Sequence, residues 1–383
     1  MSAPGGPEVR GWCPGAHHPM MSGDGLVVRV RPRLARLDAA QVIGLCDAAL
    51  RFGSGNIDLT NRANLQLRGV APEAHTPLLQ DLAALDLLDQ IPGIESRRNI
   101  LVQPLYSAGD LTERLARSLI GRLSELPDLP AKFGFAVDTG PVRILSHSPA
   151  DIRLEQSATG ALILRADGVR TGRIITENSA IDAMLELAHW FAQHQTPDKR
   201  RMAQVTQQHG LPSRFTGTTP AATVPAIGAG PTPVGPAYGA AFGQLPAAAL
   251  AHLMRESAAQ ALRVTPWRIF LLESTKAPPA DAFVQHPDDP LLRADACAGA
   301  PFCPQAEVTT RDKARELARK HKGTLHVSGC AKGCARPRPA DVTLVGRKGV
   351  FDLVRNGCAW DEPNHRGLTA EEILKLMSHP NAL

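Results

Sequence analysis

At 383 residues, 43% hydrophobic and 21% charged, the chain is long enough for two or more cores and has the composition of a globular protein. Its net charge of +5 suits a small polyanionic ligand, while an aromatic content of only 4% argues against a nucleic-acid surface that stacks bases. No stretch approaches the ~20 apolar residues of a membrane span, and the N-terminus MSAPGGPEVRGWCPGAHHP lacks the charged region and apolar run of a signal peptide. Seven cysteines, four of them close together, do not make a secreted disulfide framework, so a reducing cytoplasm is the expected home.

Residues 1–20 read as an irregular arm rich in Gly and Pro. LVVRVR over 26–31 alternates apolar and basic residues, the period of a half-buried strand. Asp38 then stands as N-cap of an amphipathic helix over 37–52, with Val42, Leu45, Cys46 and Leu50 on its apolar face and Gly53 at its end. Strands follow at 56–59 and 64–70 around the turn Thr60-Asn61-Arg62, so residues 21–74 form strand–helix–strand–strand, half of a ferredoxin-like unit. Residues 75–195 read as a mixed α+β domain, with helices at 75–88, 111–126 and 181–193 and strands at 99–104, 133–137, 161–166 and 171–175.

Pro, Gly, Ala and Thr dominate the later part of residues 196–239, which predicts a linker or long surface crossing. The first pattern then returns over 240–275: a helix at 245–259, a strand at 262–264, Thr265-Pro266-Trp267-Arg268 in the place of Thr60-Asn61-Arg62, and a strand at 269–272. This order predicts an internal duplication, the second half of the ferredoxin-like unit. The last domain, 276–383, has a helix capped by Thr309 or Thr310 and running to His321. Strands follow at 325–328, 342–345 and 351–354, then a Thr369-x-x-Glu372 capping box.

Chemistry concentrates in that last domain. Cys297 and Cys303 bracket five residues, and Cys330 and Cys334 bracket three. Two close pairs of thiolates suit a metal or an iron–sulfur cluster; zinc knuckles favour closer spacings, so a cluster fits better. Cys46 lies on an apolar helix face and reads as core, while Cys13 and Cys358 fall in loops without an assigned role.

Cys297-x5-Cys303 with Cys330-x3-Cys334, in the context SGCAKGCARPRPADVTLVG, resembles the nitrite and sulfite reductase family. There these cysteines hold a [4Fe–4S] cluster and the last one bridges to siroheme iron. TNRANLQLRG at 60–69, RRNI at 97–100 and LPAKF at 129–133 resemble that family's substrate-face segments. The resemblance implies an α+β fold: duplicated ferredoxin-like halves and two reductase-type domains, over 75–195 and 276–383. Arg62, Arg98 and Lys132 match three of the family's four small-anion cations, but Gly134 stands where the fourth, a lysine, would be.

A narrower resemblance covers CPGAHHPMMSGDGLVVRV at 13–30, LTNRANLQLRG at 59–69, ADACAGAPFCPQA at 294–306 and HVSGCAKGCARPRPADVTLVG at 326–346. These segments are similar to the precorrin-3B synthase family of the aerobic cobalamin (vitamin B12) pathway, which hydroxylates precorrin-3A at C20 with O2 and forms a γ-lactone. The implied substrate is a polycarboxylate tetrapyrrole, and Arg62, Arg68, Arg97, Arg98, Lys132, Arg336 and Arg338 are the expected carboxylate-binding surface. The resemblance also implies a mononuclear non-haem iron and electrons from an NADH-dependent reductase. Among His17, His18, His147, His286, Asp24, Asp138 and Asp288, no spacing singles out its ligands. The alternatives are a siroheme-dependent nitrite or sulfite reductase and a non-catalytic electron carrier. No nucleic-acid or membrane partner is expected.

Overall fold

The computed structural model describes residues 14–378, which places Cys13 outside the described residues. Its strands assemble into four five-stranded sheets. In the first, Gly25–Val30 lies between Met20–Ser22 and Leu65–Val70, followed by Asn56–Leu59 and then Gln244–Pro246, borrowed from the later repeat. In its counterpart, Pro236–Gly239 lies between Gly230–Pro231 and Ile269–Leu272, followed by Ala261–Val264 and then Arg36–Asp38, borrowed from the earlier one. Each ferredoxin-like half thus closes the other's sheet. The two helices Ala39–Phe52 and Ala247–Ser257 share one core beneath both sheets.

The duplication extends to backbone detail. Leu34 and Phe242 hold matched left-handed conformations, with φ of 56° and 58°, in the turn before each exchanged strand. Left-handed backbone costs a non-glycine residue energy, so packing must hold it. Leu34 inserts into the core of the domain that follows the first half, and Phe242 into the core of the cysteine-bearing domain. Ala63 and Arg268, at φ of 52° and 62°, match in the same way at the second turn of each repeat.

The other two sheets also match each other. Ile100–Val102, Phe135–Asp138 and Ile152–Gln156 run parallel, and Leu162–Ala166 and Arg173–Ile174 then turn antiparallel. Ala294–Ala296, Leu325–Ser328 and Ala340–Arg347 run parallel, and Val350–Gly357 and His365–Leu368 then turn antiparallel.

Residues 196–229 cross between the domains as packed chain, and the expected linker over 196–239 ends early, because Gly230–Pro231 and Pro236–Gly239 are strands of the second half's sheet. The crossing contributes the helix Met202–His209, with Met202 and Val205 buried, and Phe215 is 1% exposed. Residues 218–223 then bridge to the edge of the second domain's sheet and its loop. No helix among the described residues is long and apolar enough to cross a membrane.

Candidate functional site

In open α/β sheets ligands gather beyond the carboxyl ends of parallel strands. The cysteines sit there: Cys297 directly follows Ala294–Ala296, and Cys330 lies two residues beyond Leu325–Ser328 on the neighbouring strand. Thr310 Oγ1 donates to the Cys297 carbonyl at 2.7 Å, and Ser328 Oγ donates to the Cys330 carbonyl at 2.7 Å. None of the four cysteines is in a disulfide. Burial, reinforced by the Cys297 and Cys303 thiols, pushes the Cys330 thiol above its ordinary value against an opposing backbone hydrogen bond at Lys332. Cys334 is exposed, and all three other thiols act electrostatically on it.

The residues present fit an iron–sulfur cluster. Gly329 N–H donates to Cys297 Sγ at 3.2 Å, the type of contact that tunes cluster sulfurs. A Cβ on Gly329 would stand 2.5 Å from Ala306 Cβ, so only glycine lets the backbone approach that closely.

A polar sheet face borders this cradle. Leu65 and Leu67 face the core, whereas Gln66 and Arg68 face away from it, with Arg29 and Asp58 the cross-strand partners of Gln66. Arg62 is carried on the Thr60–Asn64 turn, where the Thr60 hydroxyl accepts from the N–H groups of Arg62 and Asn64 at 3.3 and 3.2 Å. Arg311, at the start of the helix Arg311–Ala318, reaches across to both Asp58 oxygens at 3.2 Å.

The expected carboxylate-binding residues fall into different surroundings. Lys132 and Arg338 are exposed, and Arg62 is half-buried. Arg98 is 4% exposed and held by Asp89 at 2.9 and 2.7 Å and by the Arg31 carbonyl. Arg97 donates to the carbonyls of Leu123, Ser124 and Leu126, and Arg336 pairs with Asp295 at 2.8 Å. Arg68 contacts Ser22, Asp24 and Asp58. Gly134 packs tightly, since a Cβ there would lie 3.2 Å from the Asn99 carbonyl oxygen.

Sequence reading passed over Arg29, Asp58 and Arg311, whose sequence separation hides their shared face. It also passed over His326, whose Cα pairs with those of Asp295 and Thr343 on the adjoining strands. His326 is fully buried with no hydrogen-bond partner at either ring nitrogen, and burial pushes it down to about 4, so it is neutral near pH 7. The candidates for a mononuclear iron do not gather. His17 Nε2 meets the Asp89 carbonyl, Asp24 faces Arg68, and Asp138 accepts from Leu145 N–H. Among the described residues, no three His, Cys, Asp or Glu side chains, the four cysteines included, come close enough together to hold a single metal ion; a cluster does not require that, since its cysteines bind separate irons.

Comparison with known proteins agrees with this architecture. Residues 18–85 match the nitrite/sulfite reductase ferredoxin-like half domain. A precorrin-3B synthase from Sinorhizobium sp is 32% identical, over 91% of this chain and 83% of its own length. A ferredoxin–nitrite reductase from Synechococcus elongatus is 33% identical over 30% of this chain and 25% of its own. The structure of Mycobacterium tuberculosis NirA superposes with a TM-score of 0.66 over 92% of this chain and 79% of that chain, at 17% identity. With duplicated halves, matched reductase-type sheets and a relative this similar along almost its whole length, the chain belongs to the precorrin-3B synthase family and has the nitrite/sulfite reductase fold.

Proposed function

We propose that the chain hydroxylates precorrin-3A at C20 using O2, with γ-lactone formation from a ring-A acetate, and that Cys297, Cys303, Cys330 and Cys334 hold a [4Fe–4S] cluster. One observation carries the choice of substrate. Of the four positions at which the reductases keep cations, Gly134 has no side chain and Arg98 is buried in an ion pair with Asp89. Arg62 and Lys132 remain, too small a set to neutralise the charge that builds on a small oxyanion through a multi-electron reduction. A wide polycarboxylate needs separated cations, and Arg62, Lys132 and Arg338 stand in three separate turns and loops of the chain.

When bound, the cluster supplies electrons one at a time. The chain's own residues do the rest. Arg62, Lys132 and Arg338 bind and orient the carboxylates, and the exposed face at Cys334 receives the macrocycle. Arg97, Arg98 and Arg336 support that surface through the carbonyls and carboxylates that they hold. In the net reaction, one atom of O2 becomes the new hydroxyl and the other leaves as water. The two electrons come from NADH through a separate reductase. A cytoplasmic location suits that donor.

The reading is tested by anaerobic purification and absorption spectroscopy. Broad cluster absorption without sharp siroheme bands is expected, together with tight binding of added precorrin-3A. One equivalent of siroheme, with turnover of nitrite or sulfite, would establish the reductase reading in its place.

A further inference from the structure

The sequence motif groups Arg68 with the substrate cations, but its guanidinium turns toward the cysteine loop. The register of Gly25–Val30 against Leu65–Val70 shifts between Leu26 and Val28, placing an extra residue around Arg68 and Gly69, and Gly69 adopts φ 69°. Such a bulge re-aims the side chain beside it. Arg68 Nη2 consequently donates to Ser22 Oγ at 3.0 Å, while its Nε lies 3.6 Å from Asp24 Oδ2 and 3.8 Å from Asp58 Oδ2.

Two routes lead from this junction to the first cysteine pair. On one, Ser22 Oγ donates to the Phe302 carbonyl, adjacent to Cys303, at 2.9 Å. The hairpin turn presses on the same loop so closely that a Cβ on Gly23 would stand 2.8 Å from the Pro301 oxygen and 3.2 Å from the Pro304 nitrogen. On the other, Arg311 holds both Asp58 oxygens at 3.2 Å, and its neighbour Thr310 holds the Cys297 carbonyl at 2.7 Å. The charges of Arg68 and Arg311 are matched by those of Asp24 and Asp58, so the group carries no net charge to attract a substrate carboxylate.

We propose that Arg68 is a positioning residue, clamping through Ser22 and Asp58 the loop that carries Cys297 and Cys303, and so fixing the first cysteine pair relative to the second. This rests on the reading of the four cysteines as cluster ligands. Arginine is required because its planar fork can serve a hydroxyl and two carboxylates together; lysine offers a single point charge. Partners outside a ligand shell commonly alter metal retention by about 10–100-fold.

The test compares wild type with Arg68→Gln, Arg68→Lys and Ser22→Ala. With a ferrous chelator, Arg68→Gln should lose cluster iron about tenfold faster than wild type, with Arg68→Lys in between. In the apo protein, alkylation followed by mass spectrometry should show Cys297 and Cys303 reacting faster in Arg68→Gln while Cys330 is unchanged. A general loss of structure would expose all four alike. Unchanged iron loss and alkylation, accompanied by weaker tetrapyrrole binding, would overturn the clamp and make Arg68 a substrate ligand. If Arg68→Gln fails to fold, Ser22→Ala, which removes one hydroxyl, still decides: Cys303 alkylation should rise several-fold, and an unchanged rate contradicts the proposal. Wild-type protein prepared anaerobically without iron or sulfide would overturn the cluster reading alone, and the apo alkylation ratio would still decide the clamp.

Discussion

Replacing Arg98 with methionine separates a structural cation from a substrate cation. Methionine keeps much of the apolar stem and removes the guanidinium, leaving Asp89 without its two hydrogen bonds at 2.9 and 2.7 Å and the Arg31 carbonyl without its donor. Removing one partner of a buried pair costs about 3–5 kcal/mol, because the other charge remains buried. Arg33, at 3.4 Å from Asp89, retains part of the pairing and places the cost near the lower end, about 3 kcal/mol. At about 2.1 cal/mol/K of unfolding entropy per residue, the 383 residues unfolding together give roughly 1.2 °C per kcal/mol, so the Tm should fall by about 4 °C. Differential scanning calorimetry of the apo protein measures this directly. Adding Asp89→Asn should cost less than the sum of the two single changes, since the stranded carboxylate disappears with it. Affinity for precorrin-3A should change by less than about twofold. A Tm within about 2 °C of wild type, with markedly weaker tetrapyrrole binding, would refute the structural assignment of Arg98.

Three other changes probe separate parts of the account. Cys303→Ser should lose the cluster; a variant retaining full iron and sulfide by chemical analysis would contradict the ligand assignment. Gly329→Ala should retain iron poorly, because its Cβ would stand 2.5 Å from Ala306 Cβ and 3.5 Å from the Cys297 sulfur; normal iron content would contradict the close approach proposed there. Burial raises Asp138 to about 6 from an ordinary carboxylate value, so the native state binds the proton more tightly and stability falls as pH rises from about 4 to 6. Asp138→Asn can still accept from Leu145 N–H, so it should raise stability above pH 6 by up to about 3 kcal/mol and remove that pH dependence; identical melting curves at pH 7.5 would contradict it.

What the sequence disclosed follows from how local each signal is. The Asp38 cap was readable because it stands directly before the apolar period of its helix, and the structure adds that Gln41, three residues on, completes a capping box with it. The cysteine pairs were readable for the same reason. Strand exchange was not: Gln244–Pro246 pairs with Asn56–Leu59 across most of the chain, and no local pattern encodes that choice. The strand Ile152–Gln156 was passed over although its residues alternate apolar and charged, and the alternation would have suggested one solvent-facing side. Both charged residues are buried, Arg153 against the Leu145 and Ser148 carbonyls and Glu155 against Arg165. The arginines show the same limit. Composition marks them as cations, but only the fold reveals that Arg97 holds carbonyls, Arg98 holds Asp89, and Arg68 and Arg311 converge on Asp58.

The most direct test of the central claim is a single turnover with precorrin-3A, reductant and ¹⁸O2, read by mass spectrometry. The account predicts one labelled oxygen per product molecule, in the lactone-bearing macrocycle, with the second atom released as labelled water. Unlabelled product, or unchanged precorrin-3A alongside reduction of nitrite or sulfite, would contradict it.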